Sequence, residues 1–453
     1  MESEPTRSYG AEVAGIFPGA STSNNYAFRW PRAGAIQGDY VGVGTGVLVI
    51  GGGPAGLAAA LAARKKGFDV TVADGAKPPI DKACGEGLMP GTVTALRELG
   101  VAIGPGDGQA FRGIRFLDAG TSAEASFSGV SGVGVRRTVL HQKMVERAEG
   151  CGITLLWNTP VAGLCGDGAI LGGTVVKSRW IIGADGIHSR VRRWMGLDGN
   201  VRQEMRFAQR RHYRVKAWTD CMEIHWGQKA QAYVTPLSNE ETCVALISRD
   251  PRMRLEDAWR EFPKLAGRLC HAEPHSAERG AVTVTRRLGQ VYRGNIALTG
   301  DASGSVDAIT GEGLCLSFRQ AMALADALGN GELESYQRAH RRLARRPNTT
   351  GRLLLLLDRH PPFRKRALRG LAEDPELFAR LLAAHLGEAS PRFLAATSLR
   401  LGWQFLTARI ERVKDECVSK PSGSGLLFPG SGARDAVGAE RSASACCAAT
   451  TGR

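Results

Sequence analysis

Three glycines and one acid carry the clearest chemistry in the chain. Gly51, Gly53 and Gly56 stand in G-x-G-x-x-G spacing within Val-Leu-Val-Ile-Gly-Gly-Gly-Pro-Ala-Gly at 47–56, and Asp74 follows at the end of a second apolar run. Gly51 suits a tight turn, Gly53 lets the backbone approach a pyrophosphate, and Gly56 lets a helix pack close to a strand. Ala55 lies at the helix start, where free N–H groups hold phosphate oxygens. A carboxylate at Asp74 suits a ribose hydroxyl. Together they predict dinucleotide binding. Further along, Asp301 follows an apolar strand end and precedes small residues, so its carboxylate can reach a buried polyol. Gly311, Glu312 and Gly313 precede the apolar stretch 314–328, which marks a helix start with exposed N–H groups that favour negative charge.

The elements that must position these residues are legible as well. An apolar strand precedes Gly51, a helix rich in Ala and Leu spans 57–66, and a second strand at 70–74 closes the unit. A helix is predicted over 140–150 and a strand over 154–157. Alternating runs at 232–236 and 242–247 predict antiparallel strands of a second layer, where a substrate would lie. The reading gives an α/β protein: a Rossmann-like dinucleotide-binding domain, discontinuous over 45–200 and 291–330, an inserted antiparallel-sheet substrate domain at 203–290, and a helical region at 331–412 broken by Gly and Pro. Residues 1–44 and the Ser-, Gly- and Ala-rich stretch 419–453 are expected to be disordered.

The choice of FAD rests on three ordered segments. Besides the glycine turn these are Trp-Ile-Ile-Gly-Ala-Asp-Gly-Ile-His-Ser-Arg-Val-Arg-Arg at 180–193 and Asn-Ile-Ala-Leu-Thr-Gly-Asp-Ala-Ser-Gly at 295–304. Over about 46–330 the chain resembles the FAD-dependent oxidoreductases of the para-hydroxybenzoate-hydroxylase and geranylgeranyl-reductase superfamily. The resemblance implies an Asp-Gly motif at Asp185, Gly186, Ser189 and Arg192, and a Gly-Asp motif at Gly300 and Asp301 whose carboxylate holds the ribityl chain. It also implies an arginine on FAD near 136–137; Arg137 is favoured and Arg136 competes. The segment Lys82-Ala83-Cys84-Gly85-Glu86-Gly87-Leu88-Met89-Pro90 is similar to the cysteine-glycine segment of geranylgeranyl reductases, which makes Cys84 a candidate catalytic residue beside the flavin. The Tyr-x-Trp-x-Phe-Pro stretch of those reductases is matched only in part by Tyr233-Val234-Thr235-Pro236, and the halogenases' Trp-x-Trp-x-Ile-Pro is missing, with isolated Trp218 and Trp226 instead. His212, Tyr213, His225 and Tyr233 are available to a substrate, but no acid-base pair stands out.

The implied activity is an FAD-dependent oxidoreductase, foremost an NAD(P)H-dependent monooxygenase of an aromatic or polyketide-like small molecule. The alternatives are a prenyl double-bond reductase and a flavin-binding protein without turnover. A second nicotinamide fingerprint is not seen, which fits NAD(P)H docking transiently or a separate reductase. The net charge of +15 on 453 residues suits anionic cofactors or an acidic membrane surface; a peripheral membrane contact belongs with the prenyl-lipid alternative. Nothing resembles a nucleic-acid module, so no nucleic acid is expected. The ten cysteines form no C-x-x-C pair, so free thiols, no metal and a cytoplasmic location are the expectation.

Overall fold

The structure, a computed structural model, describes residues 44–198 and 205–388. These lie in one of the chain's two compact units, Met1–Ala408. The expectations for 1–43, for 389–412 and for 419–453 lie outside the described residues.

Four parallel pairings build the cofactor layer. Strand Gly44–Ile50 pairs with Val70–Ala73 on one side and with Thr174–Gly183 on the other. Val70–Ala73 pairs in turn with Thr154–Leu156, and Thr174–Gly183 with Ile296–Leu298. Strands covered on both faces need continuous apolar runs, and Val47, Leu48, Val49 and Ile50 are all buried. Helix Pro54–Lys65 carries proline at its first turn, where the missing N–H costs nothing. It is buried nearly all round because the helices Arg137–Gly150 and Gly313–Gly329 flank it. The chain leaves Gly44–Ile50 toward one neighbour and returns on its other side. This strand end is therefore a topological switch point, the position where open α/β sheets bind ligands.

The second layer is antiparallel, with Met205–Arg214, Glu241–Ser248, Ala230–Pro236 and Cys221–Trp226 in that spatial order. Side chains alternate between two apolar bodies. Met222, Ile224, Tyr233, Ala245 and Ile247 face one way. Ala232, Val234, Val244 and Leu246 face helices Leu255–Ala258 and Pro263–Leu269. This layer is not confined to 203–290. Gly113–Asp118 pairs in parallel with Cys221–Trp226, and Thr121–Ser126 extends the edge. A pairing between segments so far apart leaves no local mark in the sequence.

The helical region also departs from expectation. Pro347 lies inside helix Leu333–Arg359 and does not end it, whereas Pro361 and Pro375 each open the next helix, Pro361–Glu373 and Pro375–Leu386. Buried Arg364 ties the second of these helices to the substrate sheet through Asp118 at 2.7 Å.

Candidate functional site

The two layers enclose a cavity of about 580 Å³. Its floor on the cofactor side is the glycine turn. Gly51 has φ +110°, and a Cβ there would stand 2.5 Å from the Ala184 carbonyl oxygen. A Cβ on Gly56 would meet the Gly51 carbonyl oxygen at 1.8 Å, so only glycine lets the helix sit this low. Gly53 is different: nothing among the described residues lies within 4 Å of its Cβ position. The open side is where a bulky group fits. The helix behind it has no side-chain cap, which leaves its first N–H groups, from Ala55 on, for an anion. Buried His141 braces the turn from below, its Nε2 at 2.8 Å from the Gly52 carbonyl. Burial holds that imidazole below its usual pKa, so it stays neutral at pH 7.

Asp74 lines the cavity and accepts from the backbone N–H groups of Gly52 at 2.6 Å and Ala76 at 2.7 Å. A carboxylate has about four acceptor positions, so this pairing leaves capacity for a ribose. Asp185 and Gly186 also line the cavity. The Asp185 carboxylate accepts from Ser189 Oγ at 2.5 Å and from the N–H groups of Arg190 and Val191 at 2.6 and 3.1 Å, fixing the start of helix Arg190–Trp194.

The two competing arginines separate cleanly. Arg136 turns to Glu241. Arg137 lines the cavity, and its buried Nε has no partner among the described residues. Asp301 lines the cavity too, 3.2 Å from Lys82 Nζ. Gly300 lies just behind it at φ +59°, with Ala55 Cβ 2.6 Å from where its own Cβ would be. Gly311, at φ +65°, and Gly313 line the cavity at the uncapped start of helix Gly313–Gly329.

Two expected cofactor contacts fall elsewhere. Arg192 is 1% exposed and does not line the cavity. It pairs with Asp198 at 2.8 Å and donates to the carbonyls of Ala302 and Ile187 at 3.1 and 2.9 Å. It therefore clamps the Asp185 loop to the Asp301 turn and acts on a cofactor only through them. Glu312 points away from the cavity to Arg346 at 3.0 Å. Burial pushes its carboxyl up to about 7, against the pull of Arg346. The folded carboxyl thus titrates above its ordinary value of 4.5. Its contribution to stability is full below that value and is lost as pH rises to about 7. A shift of this size is worth on the order of 3 kcal/mol. Glu312→Gln is expected to flatten the melting-temperature profile across this window. An unchanged slope in thermal melts would mean that the carboxyl is ionised throughout.

Opposite the glycine turn, Met222, Tyr233, Ala245 and Ile247 give an apolar wall. The Tyr233 hydroxyl donates to Gln231 Oε1 at 3.1 Å, and burial pushes its pKa up. Cys84 and Gly85 line the same space, with the Glu86 N–H 3.4 Å from Cys84 Sγ. Of the other expected candidates, Tyr213 packs in the far apolar body beside Val215 and Trp218, and His225 pairs with Glu223 at 3.0 Å. Trp226 is buried beneath Arg364.

The sequence reading missed an acid-base group. Glu86 lines the cavity, is 2% exposed, and sits at φ 57°. Its Oε2 is 2.6 Å from His212 Nε2, and its Oε1 accepts from the Arg137 N–H at 2.9 Å. Buried Arg210, also on the cavity wall, reaches Asp81 at 2.5 Å and lies 3.7 Å from Glu86. The only local hint was an acid between two glycines, Gly85-Glu86-Gly87. Cys243 lies close enough to Glu86 and His212 for the three to hold an ion. Burial raises its thiol pKa well above the usual value, and Glu86 and His212 are joined directly by the 2.6 Å contact. The seven described cysteines are free thiols, and no described helix is long and apolar enough to cross a membrane.

An open cradle at Gly53, two uncapped helix starts and an Arg137 Nε left unpartnered among the described residues fit the pyrophosphate, ribityl chain and ring of FAD. Comparison with known proteins agrees. The chain is 28% identical over 314 residues to a menaquinone reductase of Mycobacterium tuberculosis, covering 63% of this chain and 77% of that one. It is 27% identical over 321 residues to the 3-demethoxyubiquinol 3-hydroxylase of Escherichia coli, covering 63% and 80%. The fold is shared with p-nitrophenol 4-monooxygenase of Pseudomonas putida at a TM-score of 0.65 and 18% identity, over 76% of this chain and 98% of that one. Residues 44–343 match the family described as FAD binding domain, and the chain belongs to that family of FAD-dependent oxidoreductases.

Proposed function

We propose that this protein is an NAD(P)H-dependent monooxygenase that hydroxylates an aromatic or polyketide-like small molecule. One observation carries this reading: an apolar wall of Met222, Tyr233, Ala245 and Ile247 shares the cavity with the buried Glu86 and Arg210. A flat hydrophobic substrate bearing an ionisable hydroxyl matches that combination. An isolated alkene chain would make no use of these charges, which are already paired with Asp81 and His212.

When bound, FAD supplies the acceptance of two electrons from NAD(P)H and the activation of dioxygen. The chain's own residues do the rest. The Gly53 turn, Asp74, Arg137 and Asp301 would hold the cofactor. Tyr233 and Met222 would orient the substrate and exclude water. Arg210 would favour a negative oxygen on the substrate, and Glu86 would accept its proton. In the net reaction one atom of dioxygen enters the substrate and the other leaves as water.

A second reading, reduction of a prenyl double bond, is favoured by Cys84 on the cavity wall and by relatives such as digeranylgeranylglycerophospholipid reductase 1 of Methanopyrus kandleri, 29% identical over 293 residues. Turnover under heavy-isotope dioxygen separates the two. Oxygen insertion gives a product carrying one heavy oxygen; reduction gives a product with two added hydrogens and none. Cys84→Ala sharpens the contrast. Under the hydroxylase reading it keeps bound FAD and changes turnover by less than about twofold, since no thiol takes part. A loss of about tenfold, the scale of a lost active-site contact, would favour the reductase.

A further inference from the structure

We propose that Glu86, His212 and Cys243 form a binding site for a borderline-soft divalent cation, zinc foremost, where the cavity wall meets the antiparallel sheet. The site stands on its donor geometry alone and is independent of which substrate the cavity takes.

The fold brings the three donors together. His212 and Cys243 stand directly opposite each other in the antiparallel pairing of Met205–Arg214 with Glu241–Ser248, and Thr235 stands opposite Cys243 on the next strand. Side chains at paired positions leave the sheet on one face as neighbours. The segment that carries Glu86 lies against this face, held by the Thr235 hydroxyl, which donates to the Gly85 carbonyl at 2.7 Å. One ligand atom from each of Glu86, His212 and Cys243 lies within 4.8 Å of the other two, and all three residues are buried. A tetrahedral zinc ion with bonds of about 2.0–2.3 Å sets its ligand atoms about 3.3–3.6 Å apart. The 2.6 Å contact between Glu86 Oε2 and His212 Nε2 therefore has to open, and the sulfur to draw in. Movements of about 1 Å, well within side-chain torsion, meet those bond lengths.

The chemistry selects the ion. Thiolate, imidazole and carboxylate together suit zinc, whereas magnesium and calcium want oxygen alone. Outer partners are in place. His212 Nδ1 is 2.9 Å from Ser276 Oγ, the kind of contact that orients a metal-bound imidazole. Glu86 Oε1 accepts from the Arg137 N–H at 2.9 Å, which leaves Oε2 for the ion. The charges also balance. One carboxylate and one thiolate neutralise a divalent ion, and Arg210, 3.7 Å from Glu86, is already paired with Asp81 at 2.5 Å. Burial keeps the Cys243 thiol protonated in the absence of an ion; coordination displaces that proton. Three protein ligands leave the fourth position of the ion for water or another ligand, as in exchangeable rather than purely structural zinc sites. Because Glu86 lines the cavity, an ion held there withdraws its carboxylate from whatever the cavity binds.

The test titrates the FAD-loaded, reduced-thiol protein with zinc, and with cobalt(II) as a spectroscopic stand-in. Wild type is expected to bind one zinc ion per chain, with no competition from equal magnesium. Its cobalt form should show a thiolate charge-transfer band in the near ultraviolet and strong absorption to the red of the flavin, the mark of a four-coordinate ion. Cys243→Ala should lose the charge-transfer band. Cys243→Ala and His212→Gln should each weaken zinc binding by about a hundredfold or more, at least what the loss of an outer partner of a ligand costs. Bound-flavin absorbance is the folding control. Should either variant fail to hold FAD, Glu86→Gln, which keeps the shape of its side chain, gives the same zinc readout. Serine in place of the exposed Cys165 and Cys270 should leave binding unchanged. Equal zinc binding in wild type and the ligand variants, a cobalt form without the thiolate band, or binding that disappears with Cys165 and Cys270 would overturn the site.

Discussion

Gly53→Val protein is expected to fold normally and to purify without colour. The Cβ position of Gly53 faces open cavity, with nothing among the described residues within 4 Å, so the branch point of the valine is free of contact with them. It would instead fill the space in which the pyrophosphate must approach the backbone. Hydrogen bonds to charged groups are each worth about 1.5–3 kcal/mol. Losing two of them lowers FAD affinity by about a hundredfold or more. Gly56→Val gives the contrast, because its Cβ would stand 1.8 Å from a backbone oxygen and the helix itself must move. Flavin absorbance per chain, with circular dichroism as the folding control, reads both variants. Fully loaded yellow Gly53→Val protein would remove the phosphate from this turn.

The largest expected loss of stability is at Arg206. Its Nη1 lies 2.8 Å from Asp307 Oδ1 and its Nη2 2.9 Å from Gln231 Oε1, and the side chains of Arg206 and Asp307 are 3% and 2% exposed. Removing one partner of a buried pair strands the other, at a cost of about 3–5 kcal/mol. Asp307 also accepts from the Ile309 N–H at 2.9 Å, on the turn that leads to Gly311. Arg206→Ala is therefore expected to lower unfolding stability by that amount and to loosen FAD as well. Asp307→Leu in the Arg206→Met background should recover part of the loss, since an apolar pair strands no charge. A drop below about 1 kcal/mol in denaturant unfolding would mean that water reaches the pair.

What the sequence revealed depended on how local the cause was. The glycine turn was legible because strand, turn and helix are contiguous, and each glycine answers a backbone need within a few residues. Asp301 and Gly313 were legible for the same reason, each marking the end of one element or the start of the next. The family pattern favoured Arg137 but left Arg136 competing, since Glu241, which claims Arg136, is 105 residues away. The clamp made by Arg192 was hidden because Ala302, whose carbonyl it holds, is 110 residues away. The Glu86–His212 pair spans 126 residues; the glycines around Glu86 suggested only a loop. The strand pairing of 113–118 with 221–226 was hidden in the same way.

The central claim is that one cavity holds FAD on the glycine-turn side and substrate against the apolar sheet. A crystal structure of the protein grown with FAD tests it most directly. The account expects the pyrophosphate on Gly53 and Ala55, the ribityl chain at Asp301, and the ring between the Gly311–Leu314 turn and the Cys84–Gly85 segment. Space would remain against Met222 and Tyr233. A flavin bound elsewhere, or a ring that fills the space before Met222 and Tyr233 and leaves no room for a substrate, would contradict it.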